Sequence, residues 1–143
     1  MSTGVGVEQE ARIAGKQGGG MTVEVSRTLQ ASVAHVWEVL VSPAGTAALL
    51  GEGAALGGKG QHYYCSDGVS GVLRSYHPLE QLRVSFHETP DSPPSIVEVD
   101  LRAEGDATVV DLRHERITDE ASVSFLERRW KESLDALAAV AVS

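Results

Sequence analysis

His114 shares strand parity with Val110 and Leu112, so alternation turns its imidazole toward the same apolar side. There it could hydrogen-bond a ligand or act as a general acid/base with a tunable pKa. The competing role, a structural histidine bonded to backbone near the strand end, carries more weight. Glu127 lies only about 40° from the centre of an apolar helical stripe. Its carboxylate either reaches inward or lies along the rim beside Lys131, and the rim is favoured because long charged side chains extend readily toward water. Tyr63 and Tyr64 point to opposite sides of one strand, so a single phenol faces the interior, and His62 goes with Tyr64. Parity alone does not choose between them; Tyr64 is carried forward as the candidate. His62 and Cys65, three residues apart, fall on opposite faces of a strand, and with no further thiol they make a poor metal site. No metal and no cofactor is expected. His35, His77 and His87 are expected on a wet helix face, at a turn and on a wet strand face. The chain carries no Ser-His-Asp order, Walker loop, paired-carboxylate motif or zinc signature, so hydrolysis and phosphoryl transfer have little support.

These side chains depend on a long C-terminal helix predicted over Asp119 to Val142. Val123, Leu126, Trp130, Leu134, Leu137 and Ala141 recur at steps of three and four and form one apolar stripe. Glu127, Arg128, Lys131, Glu132 and Asp135 occupy the remaining surface. Thr118 or Asp119 can cap the N-terminus, and neither Pro nor Gly interrupts the run. The segment would reach roughly 36 Å, enough to cross a whole sheet. Phe125 sits about 200° from Val123, off the stripe, which means either a later helix start or packing under a loop or against another molecule.

Upstream, residues 1–20 are rich in Gly, Ser, Thr and Gln and are expected to form a disordered tail. Alternation from Met21 through Leu29 predicts a first strand. Ser32 then caps a short helix with Val33, Val36, Trp37, Leu40 and Val41 on one stripe, and Pro43 opens a second short helix that Gly51 stops. The glycines between Gly51 and Gly60 meet neither phosphate-loop spacing and read as a mobile connection. Five alternating segments follow: Gln61 to Cys65, Val69 to Tyr76, Leu82 to His87, Ser95 to Ala103 and Thr108 to Arg116, separated by turn chemistry. Leu82, Val84, Phe86, Val97, Val99, Leu101, Val110 and Leu112 mark the buried face. Arg83, Glu98, Asp100, Arg102, Asp111 and Arg113 mark the wet one. The fold class is α+β, an antiparallel curved sheet of six to seven strands wrapped on the C-terminal helix, with two short helices after the first strand.

The 143 residues suit one domain, 21–143, behind the tail. A net charge of −8 and a pI near 5.0 argue against nucleic-acid and anionic-membrane partners. No apolar run reaches the length of a membrane span and no secretory h-region opens the chain, so a cytoplasmic location is expected. Cys65 is alone, which excludes an internal disulfide framework.

The element order resembles the START-like superfamily, also called SRPBCC, with its helix-grip fold. More narrowly, VSRTLQASVAHVWEVLVSP (Val25 to Pro43), GVLRSYHPLEQLRVSF (Gly71 to Phe86), VEVDLRAEGDATVVDLRHE (Val97 to Glu115) and WKESLDALA (Trp130 to Ala138) resemble the branch related to the activator of the heat shock protein 90 ATPase. Two departures stand out: Leu49 and Leu50 precede Gly51 where many relatives have tryptophans, and Arg129 precedes Trp130 where a glycine is common. The resemblance implies a cavity for an apolar or aromatic small molecule between the C-terminal helix and the concave sheet. Trp130, Leu126 and Leu134 from the helix, Phe86, Val99, Leu112 and His114 from the sheet, and Tyr64 and Glu127 would line it. It implies a non-catalytic binding protein first. A polyketide cyclase or aromatase, a co-chaperone activating the heat shock protein 90 ATPase, and natural-product self-resistance by sequestration are the alternatives. A homodimer and a chaperone partner are left open by the same resemblance.

Overall fold

Period-2 alternation produces strands and period-3.6 stripes produce helices, and both sort as their spacing requires. The computed structural model describes the backbone of residues 9–17 and the whole of residues 20–142. Its elements run β1 (Gln9–Gln17), β2 (Gly20–Leu29), α1 (Val33–Leu40), α2 (Pro43–Leu50), β3 (His62–Tyr64), β4 (Ser70–His77), β5 (Gln81–Phe86), β6 (Ser95–Glu104), β7 (Ala107–Ile117) and α3 (Ser122–Val142). The seven strands form one antiparallel sheet in the order β1-β2-β7-β6-β5-β4-β3. The arrangement is the α+β helix-grip fold, with α3 lying on the concave face.

One expectation is corrected here. Gln9–Gln17, read as tail, forms β1 and pairs with β2 in the register Gln9↔Arg27 through Ile13↔Val23. Ala11 and Ile13 alternate with Glu10 and Arg12, a short period-2 pattern hidden among polar residues. Pairing also covers the backbone edge that β2 would otherwise present. The rest of that stretch, residues 1–8 and 18–19, lies outside the described residues.

The two short helices are fixed by their caps. Ser32 Oγ accepts the N–H of His35 at 3.2 Å, Ser42 Oγ accepts that of Gly45 at 3.1 Å, and Pro43 opens α2. A Cβ on Gly45 would stand 1.7 Å from the carbonyl oxygen of Val39, so only glycine allows α1 and α2 this approach. His35 is not idle on its wet face: Nε2 lies 2.7 Å from the carbonyl oxygen of Ala141 and ties α1 to the end of α3.

α3 starts at Ser122, three residues after the expected Asp119, and the turn before it is held by Asp119, whose Oδ1 accepts the Ala121 N–H at 3.0 Å. Leu126, Trp130, Leu134 and Leu137 are fully buried against the sheet residues Val23, Val97, Val110 and Leu112 in one core. Phe125 stays off the stripe, 54% exposed. The outer face of the sheet is less uniformly wet than alternation predicts, since Ile96 and Val109 on it are also buried, and one residue expected there needs correction. Glu98 is on the outer face as parity requires, yet it is buried, because its cross-strand neighbours Arg83 and Arg113 lie over it with guanidinium contacts at 3.8 and 3.5 Å. No single helix among the described residues is long and apolar enough to cross a membrane.

Candidate functional site

β7 delivers His114 to the interior opposite Val97 of β6 and Val23 of β2, with none of its surface exposed. β5 contributes Phe86 at its last position and α3 contributes Trp130. The three rings meet edge to face: Phe86 and His114 at 4.7 Å between centroids, Phe86 and Trp130 at 5.5 Å, His114 and Trp130 at 5.8 Å. An indole N–H can only donate, so the 3.0 Å contact from Trp130 Nε1 makes His114 Nδ1 the acceptor and puts the ring proton on Nε2. Nε2 then donates to Ser95 Oγ at 2.6 Å, and the Ser95 hydroxyl donates to the carbonyl oxygen of Phe86 at 3.1 Å. Every polar atom of this chain is satisfied. Burial, reinforced by the nearby positive charge of Arg129, pulls the His114 pKa down to about 3. A neutral imidazole with both nitrogens committed is built to hold its place rather than to move protons.

Tyr63, not Tyr64, is the inward phenol: Tyr63 is buried and Tyr64 is 66% exposed, stacked on His62. The cause is a cross-strand glycine. Tyr63 pairs with Gly71, and the Tyr63 ring lies where a Gly71 side chain would be, Cε2 and Oη each 2.6 Å from the position of its Cβ. The hydroxyl then reaches past β4 to the carbonyl oxygen of Ser85 at 2.7 Å. Burial raises the Tyr63 pKa further, so the phenol stays protonated.

Arg129 was not among the expected site residues. Its Nη1 donates to Asp67 Oδ2 at 2.9 Å and its Nη2 to the carbonyl oxygen of Leu50, the end of α2, at 2.7 Å. The guanidinium carbon lies 5.6 Å from the centroid of Phe86 and 5.8 Å from that of Trp130. Its Nε is buried and has no acceptor among the described residues. The thiol of Cys65 donates to the same Leu50 oxygen at 3.3 Å, and burial, with the charge of Asp67, pushes its pKa up to about 11. Burial alone would raise the Asp67 pKa, but hydrogen bonds from Arg129 and from the Val69 N–H hold it below the usual carboxylate range. Arg129 thus binds α3, the end of α2 and the β3–β4 turn at one corner of the molecule.

Of the expected lining residues, Trp130, Leu126, Leu134, Phe86, Val99, Leu112 and His114 share one core. The ring contacts fill the space between β7 and α3 at Phe86 and His114. Glu127 is half-buried at the edge of the stripe. Tyr64 faces outward, away from the others. Two clefts lie elsewhere: one of about 160 Å³ beside Glu88, Ser95, Arg116 and Ser122, and a shallower one of about 500 Å³ between the end of β2 and the last turns of α3. Among the described residues no group of three or more His, Cys, Asp or Glu side chains is placed to hold a metal ion.

Solved structures with the same fold include CalU16 from Micromonospora echinospora, at a TM-score of 0.78 and 21% identity over 93% of this chain and 85% of that one. DynU16, a protein of the dynemicin biosynthetic locus, matches at 0.70 and 19% identity over 82% of this chain, which corresponds to 46% of DynU16. The Aha1 dimer from Colwellia psychrerythraea matches at 0.70 and 13% identity over 82% and 92%. No curated protein matches the chain. The family described as Activator of Hsp90 ATPase homolog 1-like protein matches residues 30–141, from the end of β2 through α3. That span takes in α1, α2, the Tyr63, His114 and Trp130 positions and the whole Arg129 corner, and the chain belongs to this family, within the START-like helix-grip superfamily.

Proposed function

We propose that the protein binds an apolar, aromatic small molecule at the corner where α2, the β3–β4 turn and α3 meet, and that it acts by binding rather than by turnover. The observation that carries this reading is the uneven chemistry of the interior. Most of it is aliphatic, but Tyr63, Phe86, His114, Arg129 and Trp130 gather at one end, where a buried guanidinium nitrogen lacks an acceptor among the described residues. A surface needed only for stability would replace such a group with an aliphatic one. Because the three rings touch, the ligand enters by displacing the cover over Arg129 rather than by filling a ready-made void. The segment beside Arg129 is the glycine-bearing connection that begins at Gly51, where a Cβ would stand 3.0 Å from Arg129 Nη2, and the Ser66 N–H fastens it to the Glu52 carbonyl oxygen at 2.8 Å. The committed state of His114 argues against a cyclase or aromatase that uses it as acid or base.

Native mass spectrometry of the freshly purified protein, together with fluorescence titration by N-phenyl-1-naphthylamine, tests the reading. A retained small molecule, or saturable binding of the dye that Trp130→Ala weakens, is the expected result. A bare mass together with no saturable binding overturns it.

A narrower reading, sequestration of a natural product, is supported by the origin of DynU16 in a biosynthetic locus. It predicts that expression of the protein raises the dose of such a compound that a sensitive host tolerates. Self-association is supported by the dimeric Aha1 neighbour, and light scattering during size-exclusion chromatography measures it.

A further inference from the structure

We infer that Arg129 makes this site selective for aromatic ligands that carry an anionic oxygen, such as a carboxylate, sulfonate or ionised phenol; the inference rests on the small-molecule reading above. Of the three guanidinium nitrogens, Nη1 and Nη2 are occupied by Asp67 and the Leu50 carbonyl, while Nε has no acceptor among the described residues and is shielded from solvent. A buried N–H without a partner is costly, and a charged donor more so, which makes an incoming anionic oxygen the group best suited to it. The aromatic part of the same ligand has its place beside it, because the guanidinium stands over the rings of Phe86 and Trp130. The rest of the corner offers no competing cation site. Tyr63 and His114 are held neutral by burial, the Cys65 thiol likewise, and Asp67 is already turned onto Nη1.

Asp67 is the group that sets the strength of this selectivity. The Asp67 side chain is 51% exposed while that of Arg129 is 14% exposed, so the arginine is the buried partner and the aspartate the half-solvated one. Asp67 stays on Nη1 when a ligand oxygen takes Nε, and its negative charge opposes that second anion. The overall charge of −8 works against any anion approaching the protein, so preference for an anion requires this local inversion of sign.

Two probes that share one skeleton test the point: N-phenyl-1-naphthylamine, which is uncharged, and 8-anilino-1-naphthalenesulfonate, which adds a sulfonate. Fluorescence titration of the full chain is expected to favour the sulfonate by about tenfold. Arg129→Met should bring the ratio of the two affinities to one or below, Asp67→Asn should raise it, and Arg102→Met, at an exposed ion pair with Asp111, should leave it at the wild-type value. A wild-type ratio at or below one, or a ratio that survives Arg129→Met, overturns the inference. If Arg129→Met does not fold, Asp67→Asn decides alone: an unchanged ratio overturns it. Binding of the uncharged probe without preference for the sulfonate leaves the small-molecule reading standing and removes only this selectivity, whereas binding of neither removes both.

Discussion

Trp130 of α3 donates its indole N–H to Nδ1 of His114 on β7 at 3.0 Å, a polar bond between the helix and the sheet inside an otherwise apolar contact. It fixes the tautomer of the imidazole, and through Nε2 it orders Ser95 and the start of β6. Sliding α3 by one residue would break the bond and strand two buried polar atoms. The pair therefore selects one register of helix on sheet, which hydrophobic packing alone specifies loosely.

Replacing Trp130 by Phe keeps an aromatic ring but removes the donor, leaving Nδ1 of His114 without a partner. Burying that unsatisfied nitrogen, together with the volume lost, is expected to lower stability by about 2–4 kcal/mol. Urea denaturation reads this as a lower midpoint at unchanged slope. A loss under about 0.5 kcal/mol would mean that the bond does not hold the interface.

His114 also makes stability depend on pH. Its folded value, about 3, lies below the ordinary value near 6.5, so the unfolded chain takes up the proton first as pH falls. Stability drains away between about pH 6.5 and pH 3, by up to roughly 1.4 kcal/mol per pH unit and on the order of 4 kcal/mol across the window. His114→Gln has no such proton to bind. The wild-type stability minus that of the variant should therefore fall across this window and stay level above pH 7; a level difference throughout would show that His114 titrates normally in the fold.

The parts of the molecule with a strict period were legible in the sequence. Leu126, Trp130, Leu134 and Leu137 repeat at helical spacing, and Val110, Leu112 and His114 repeat at strand spacing, so the meeting of an apolar helix stripe with an apolar sheet face followed from spacing. Tyr63 and Tyr64 were not resolved, since a strand of three residues offers no parity record; Gly71 across the ladder is what decides, and register between separate strands is not local information. The polar sequence of β1 hid its pattern, and its pairing with β2 is a contact between separate strands that local spacing does not record. Arg129 was noticed only as a departure from relatives. Its partners Asp67 and Leu50 stand 62 and 79 residues away, a distance that only the closed fold brings together.

Glu98 on the outer face bears a strain that its ion pairs do not fully relieve. Burial and the neighbouring Asp100 raise its pKa despite Arg113 and Arg83. With the folded value above the unfolded one, this group's contribution favours folding at low pH and is lost as pH rises through the folded value. Glu98→Gln removes the charge and keeps an oxygen to accept from the Gln81 amide, which donates to Glu98 Oε2 at 3.2 Å. Thermal unfolding at pH 7 should show a Tm equal to or above that of the wild type. A drop of several degrees would mean that the arginine pairs outweigh the burial of the carboxylate.

Gly51 closes α2 with φ at 137°, in a region that side chains rarely adopt, and a Cβ there would stand 2.9 Å from Sγ of Cys65 and 3.0 Å from Nη2 of Arg129. Gly51→Ala therefore carries two separate penalties, backbone strain and a collision with the Leu50–Cys65–Arg129 cluster, together about 2–4 kcal/mol. Only the collision can be relieved by trimming the neighbour. Cys65→Ala alone gives up a buried thiol and its bond to the Leu50 carbonyl, a cost of about 1 kcal/mol, but in the Gly51→Ala background it also makes room for the new methyl. The double variant should thus be more stable than the sum of the single losses by about 1 kcal/mol, while still falling short of wild type because the φ penalty persists. Denaturation of the four proteins closes the cycle. Strict additivity would show that the methyl finds space without touching Cys65, and that strain at Gly51 alone accounts for the loss.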